Sequence, residues 1–148
     1  MKRILMATAI ALAAVLPAQA DMITKTSAHS VAVTIDRLAA AVEKAGAKVF
    51  ARIDHAKGAA SVGADLRPTQ MLMFGNPKLG TPAIQAGQSI GLDLPLRVVA
   101  WETEDGKVTV GYHDPADVAA LHGLPADHPT IAKMQGALGK LTGAATGG

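Results

Sequence analysis

The residues best suited to chemistry gather around one stretch, Arg67-Pro-Thr-Gln-Met-Leu-Met-Phe-Gly-Asn-Pro-Lys-Leu-Gly-Thr-Pro82. Arg67, Thr69, Gln70, Asn76, Lys78 and Thr81 bring guanidinium, hydroxyl, amide and ammonium groups close to a turn at Gly75-Asn76-Pro77. The pair Thr81-Pro82 predicts a helix start, with Thr81 as N-cap and proline where a missing N–H costs least. A helix start offers free amides and a partial positive charge. With Arg67 and Lys78 nearby, that pattern suits a small anion, a carboxylate or phosphate held by charged and amide donors together. The structural alternative is that Arg67 pairs with an acidic neighbour, Asn76 occupies a turn and Lys78 is solvated.

His55 follows Asp54 at the end of an expected strand. Held by a carboxylate, an imidazole there would act as a general base or metal ligand. With Arg67 and Gln70 it would make an enzyme of unassigned reaction. Adjacent strand residues point to opposite faces, however, so Asp54 is poorly placed to orient His55. A capping role at the next short helix is the alternative. Met71 and Met73, with His55 or His113, would suit copper, but methionine in a strand of Leu and Phe is ordinary core filler. His29, His113, His122 and His128 show no paired ligand spacing, so no metal and no cofactor is expected. Ser61 and Ser89 lie in helical stretches without a Gly-x-Ser-x-Gly elbow, and no catalytic residue is assigned. The candidate ligand-binding residues are therefore His55, Arg67, Thr69, Gln70, Asn76, Lys78 and Thr81, in a non-catalytic binding module.

Hydrophobic periodicity supplies the elements that must position these groups. Met22 to Ser27 alternates as a strand. Ser30 then caps a helix in which Val31, Ile35, Leu38 and Val42 form one stripe, ended by Gly46. Lys48 to Asp54 reads as a second strand, with Val49, Ala51 and Ile53 on one face, and His55 to Gly63 as a short helix. Gln70 to Phe74 is a third strand; its unbroken apolar run predicts cover on both faces, as at the centre of a sheet. The helix from Thr81 runs to about Ser89. Leu96 to Glu102 and Lys107 to Tyr112 form a hairpin around Glu104-Asp105-Gly106, whose carboxylates, with Glu102, read as solubilising charges. Trp101 and Tyr112 are placed to meet across it. Pro115 to Leu121 and a helix opened by Pro129, with stripe Ile131, Met134, Leu138 and Leu141, complete the order. The fold class is α+β: one mostly antiparallel five-stranded sheet with helices packed on one face.

Composition sets the bounds. Lys2 and Arg3, an apolar run from Ile4 to Leu16, and Ala18-Gln-Ala20 make residues 1–20 a signal peptide. The protein is then exported, to the periplasm or outside the cell, with no membrane attachment after cleavage. Of the 14 basic residues, two leave with that segment, and the rest balance the 12 acidic ones. With no basic cluster or aromatic row, no nucleic-acid partner is expected. No cysteine is present, so thiol catalysis, iron–sulfur clusters and Cys-based zinc sites are excluded. Residues 21–141 are expected to form one domain, and the Gly- and Ala-rich 142–148 a flexible tail.

Several pieces together resemble a known family. Phe50-Ala-Arg-Ile-Asp-His-Ala, Arg67-Pro-Thr-Gln, Phe74-Gly-Asn-Pro-Lys, Gly80-Thr-Pro, Leu92-Asp-Leu-Pro-Leu and Tyr112-His-Asp-Pro occur in the order seen in the DUF302 family. The resemblance implies a compact α+β domain that forms a homodimer. It implies no established activity.

Overall fold

The computed structural model describes residues 21–147; the expected signal peptide, residues 1–20, and Gly148 lie outside them. The chain order is β1 (Met22–Ser27), α1 (Val31–Lys44), β2 (Lys48–Asp54), α2 (His55–Ser61), β3 (Thr69–Gly75) and α3 (Pro77–Ala86). A 3-10 helix (Gln88–Leu92) follows, then β4 (Leu96–Glu102), β5 (Val108–His113), α4 (Pro115–Leu121) and α5 (Pro129–Thr146). The five strands form one sheet in the order β1-β5-β4-β3-β2. Every neighbouring pair is antiparallel. The expected α+β class is the one observed. No parallel βαβ unit forms, because β1 and β2 lie at opposite edges and α1 crosses between them.

One sheet face is covered by α1 and α5, which also pack on each other. Leu72 and Phe74 of β3, Val98 and Ala100 of β4, and Val108, Val110 and Tyr112 of β5 point into that layer. There they meet Val31, Ile35, Leu38 and Val42 of α1 and Leu138, Leu141 and Ala145 of α5. Ser30 caps α1 by accepting from the Val33 amide, and Gly46 closes it at φ +74, a conformation that suits glycine. A second cluster of Ala83, Ile90, Ala119, Leu124, Ile131 and Met134 fixes α3, the 3-10 helix and α4 to α5.

Four expectations need correction. β3 is not central, since β4 holds that position. Met71 and Met73 pair with Val99 and Arg97, on a half-exposed face of the sheet. In β2 a bulge between Val49 and Ala51 divides the expected single face. Val49 pairs with buried Phe74, whereas Ala51 and Ile53 pair with Met73 and Met71 on the other side. Trp101 and Tyr112 do not meet: Tyr112 enters the core, and Trp101 stacks over Gly111 on the open face. Finally, residues 142–146 are not a flexible tail. They are the last turns of α5, with Thr142, Ala145 and Thr146 buried. The Arg37 guanidinium donates to the Ala144 and Ala145 carbonyls at 2.8 and 3.2 Å, and the Ala28 amide to Thr146 O at 3.0 Å. A cation at a helix C-terminus satisfies carbonyls that would otherwise lack partners.

Candidate functional site

The candidate residues separate into two groups at opposite ends of β3. Seven residues of extended chain span roughly 20 Å, so the two groups form no common pocket. At the Thr69 end, Arg67, Thr69 and Gln70 each already have a structural partner. Arg67 Nε donates to Glu102 O at 3.0 Å, and its Nη2 lies 4.0 Å from Glu104 Oε1. Thr69 Oγ1 donates to Arg67 O at 2.9 Å. Gln70 Oε1 accepts from Arg52 Nε and Nη2 at 2.9 and 2.8 Å, and its Nε2 donates to Asp54 Oδ2 at 3.1 Å. Arg52 also pairs with Asp36 of α1. Asp54 caps α2 through the Lys57 amide at 2.9 Å, leaving His55 exposed as the first helical residue. This is a network that ties β2, β3 and α1 together.

The other end is a hollow. Gly75, Asn76, Pro77, Lys78 and Thr81 line a groove of about 610 Å³, together with Ala45, Phe50, Ile84, Pro95, Lys133 and residues between them. That lies within the ~300–1,000 Å³ usual for small-molecule sites. Its floor is the buried surface of Phe74, Met134 and Leu141. Phe50, 51% exposed, and Ile84 are wall residues. The bulge in β2 is what turns Phe50 outward. Gly75 lies under Phe50 and Pro95, with each ring atom 3.6 Å from where a Cβ would stand.

The helix that borders this groove starts earlier than expected. Its N-cap is Asn76, not Thr81, and Thr81-Pro82 falls within its length. Pro82 is the sixth residue of this helix, past the unpaired amides at its start, so it costs the helix one backbone hydrogen bond. Asn76 Oδ1 accepts from the Lys78 amide at 2.9 Å, and Asn76 O accepts from Leu79 and Gly80 at 2.8 and 2.9 Å. Pro77 has no N–H. The amide donors on which an anion cradle at this helix would rest are therefore engaged, and recognition of an anion falls to side chains. Lys78 and Lys133 are the charged residues that line the groove. No carboxylate lines it, and neither ammonium forms a salt bridge among the described residues. The groove is an apolar trough under two cations.

Sequence reasoning found Asn76, Lys78 and Thr81 but missed Phe50, Ile84 and Lys133. Ile84 and Lys133 come from helix faces whose neighbours only the tertiary fold reveals, and a β-bulge leaves no local signal. It also passed over Ser89, Asp93 and His122, which the fold joins through hydrogen bonds. His122 Nε2 lies 2.7 Å from Asp93 Oδ2, and its Nδ1 3.1 Å from Ser89 Oγ.

Comparisons with known proteins agree with the fold. The family described as "Domain of unknown function DUF302" matches residues 23–141. The crystal structure of an uncharacterized conserved DUF302 protein from Bacillus stearothermophilus superposes with a TM-score of 0.76 at 19% identity. The match covers 84% of this chain and 97% of that one. Two curated relatives are named fluoride-specific ion channel FluC 1, from Brucella suis biovar 1 and Brucella abortus biovar 1. Each is 48% identical over 103 residues, 70% of this chain but only 41% and 38% of theirs. The chain thus spans about two fifths of the curated relatives it matches.

Proposed function

The chain belongs to the DUF302 family, and from that premise we propose that it is an exported binding module whose groove holds a small anionic molecule with an apolar body. One observation carries this reading: a 610 Å³ trough lined mainly by apolar side chains has Lys78 and Lys133 as its charged lining groups. Apolar surface supplies most of the affinity in such a site, and a few polar groups fix orientation. Asn76 and Thr81 add hydrogen-bonding groups at the same rim. The enzyme reading based on His55 with Arg67 and Gln70 has no such support, since Arg67 and Gln70 are engaged in structural bonds and His55 stands apart. Native mass spectrometry of protein taken from the cell envelope tests the reading. A co-purifying anion of a few hundred daltons, lost from a Lys78→Met/Lys133→Met variant, supports it; protein that carries no ligand under any envelope preparation opposes it.

The protein acts as a homodimer in this account, with the open sheet face against a second copy. Met71, Met73, Val99, Trp101 and Ile53 make that face apolar, and among the described residues each of them is only partly buried or exposed. A partly exposed apolar patch of this kind suits pairing with a second copy about a two-fold axis. Export rests on the basic start, apolar run and Ala-Gln-Ala of residues 1–20. Sequencing the N-terminus of the mature protein checks it, with Asp21 expected first.

The partial match to proteins named as fluoride channels favours a second reading, in which this domain serves beside an anion channel. It is not itself the fluoride site in that account. A small, strongly hydrated anion needs several converging N–H donors to replace its water, and those at the head of α3 are already bonded.

A further inference from the structure

Away from the groove, a second cluster has the form of a nucleophile, its base and an orienting carboxylate. Ser89 lies in the 3-10 helix, Asp93 caps its C-terminal end, and His122 caps α4. The His122 side chain is only 11% exposed. One ring nitrogen, Nε2, lies 2.7 Å from Asp93 Oδ2, and the other, Nδ1, 3.1 Å from Ser89 Oγ. Asp93 Oδ1 in turn accepts from Arg97 Nη2 at 2.7 Å. A carboxylate beside Nε2 places the proton there, so Nδ1 presents its lone pair to the serine hydroxyl. The two backbones that carry this row are held by buried Ile90, Ala119 and Leu124. Leu124 packs so closely on Gly87, just before the 3-10 helix, that a Cβ there would stand 2.4 Å from its side chain. Ser89 itself faces solvent.

We infer that Ser89 is an acyl-accepting nucleophile, with His122 as its general base and Asp93 as the positioning residue. This site lies outside the groove and does not rest on the binding reading. Ser89 Oγ attacks the carbonyl carbon of an ester while its proton passes to His122 Nδ1. Collapse of the adduct breaks the bond to the leaving alcohol, which takes that proton. Water then attacks the acyl carbon, gives its proton to Nδ1, and the acid departs as Ser89 recovers its hydrogen. No cofactor, oxidant or reductant enters the balance. The substrate class is a short-chain acyl ester. Neither Ser89 nor His122 lines the hollow of about 40 Å³ beside Asp93 and Arg97, so that hollow gives a long acyl chain on Ser89 no cover. The ring offers Nδ1 to the hydroxyl instead of the Nε2 used by serine proteases, but the roles are the same.

The experiment treats the mature protein with a fluorophosphonate probe and locates the adduct by peptide mass, with p-nitrophenyl acetate as a turnover substrate. The expected result is one adduct on Ser89, absent in Ser89→Ala, with ester turnover lost in the same variant. Because Ser89 is exposed, that variant should fold, which circular dichroism verifies. His122→Gln keeps a hydrogen bond to Ser89 but no base, and labelling should slow about 100-fold. Asp93→Asn should slow labelling and Asp93→Glu restore it. Absence of an adduct on Ser89, ester turnover unchanged in Ser89→Ala, or labelling indifferent to His122→Gln would each overturn the inference.

Discussion

The Asn76 side chain accepts a hydrogen bond from the Lys78 amide at 2.9 Å, and so sets both the start of α3 and the place of a lysine on the groove rim. The same side chain reaches back through Nδ2 to Gly46 O at 3.3 Å, joining the turn after α1 to the turn after β3. Local capping chemistry thus builds the wall of a site formed by distant parts of the chain. Replacing Asn76 with Ala removes the cap and should cost about 1–2 kcal/mol. Asn76→Asp keeps the acceptor but not the donor to Gly46, and should recover most of that loss. Urea unfolding midpoints of the two variants provide the check.

Trp101 and Gly111 form a contact that tolerates no added atom. A Cβ at Gly111 would stand 2.9 Å from Trp101 Cζ3 and 3.0 Å from Met22 Sδ. Gly111 has no positive φ, so the penalty of Gly111→Ala is one of space alone. Overpacking of this kind costs about 1–3 kcal/mol. Thermal unfolding of Gly111→Ala should show the drop, and the double variant Gly111→Ala/Trp101→Val should recover part of it.

The end of α5 belongs to the core. A chain stopped after Leu141 loses buried Thr142, Ala145 and Thr146 and the carbonyls that Arg37 and the Ala28 amide bond. Its stability should fall by at least about 2 kcal/mol, the scale of deleting one large buried side chain. Amide hydrogen exchange offers a second view: protection at Thr142 and Ala145 should match that of Leu138, not that of a fraying end.

Much of the fold was legible because local signals and tertiary packing agree. The stripe of α1, the Ser30 cap and the Gly46 stop were readable from 3.6-residue periodicity and capping chemistry. The hairpin at Asp105-Gly106 was readable from its turn residues, and Gly106 does adopt φ +77. Thr81-Pro82 misled because a cap followed by proline looks the same at a helix start and within its first turns. Asn76-Pro77, five residues earlier, carries the same signature and has a side-chain cap bond. The β2 bulge had no marker at all, so the outward turn of Phe50 and the split between Val49 and Ala51 went unread. For the candidate site, residues near the Asn76 turn were found because they are local to it. Lys133 and His122 were not connected to their neighbours because each is brought there from far along the chain.

At the hairpin, charge sets a pH response. The Lys107 ammonium and the Thr103 hydroxyl hold the Asp105 carboxyl down from 3.8 to about 2, and Asp105 in turn raises Lys107. A depressed carboxyl contributes stability above its unfolded value, and that contribution is lost as pH falls through the folded one. The window therefore runs from about 4 down to about 2. The pair is solvent-exposed, so the effect on global stability should be small. NMR titration of the Asp105 carboxyl carbon should give a midpoint near 2, moving upward in Lys107→Met.

The groove is tested most directly by calorimetric titration of the protein with decanoate and, in parallel, with decanol. The account predicts saturable decanoate binding, weaker binding of the uncharged alcohol, and a loss of about tenfold for decanoate, roughly 1.4 kcal/mol, in Lys78→Met/Lys133→Met. Equal affinity for the two ligands, an unchanged affinity in the double variant, or no heat of binding for decanoate would contradict it.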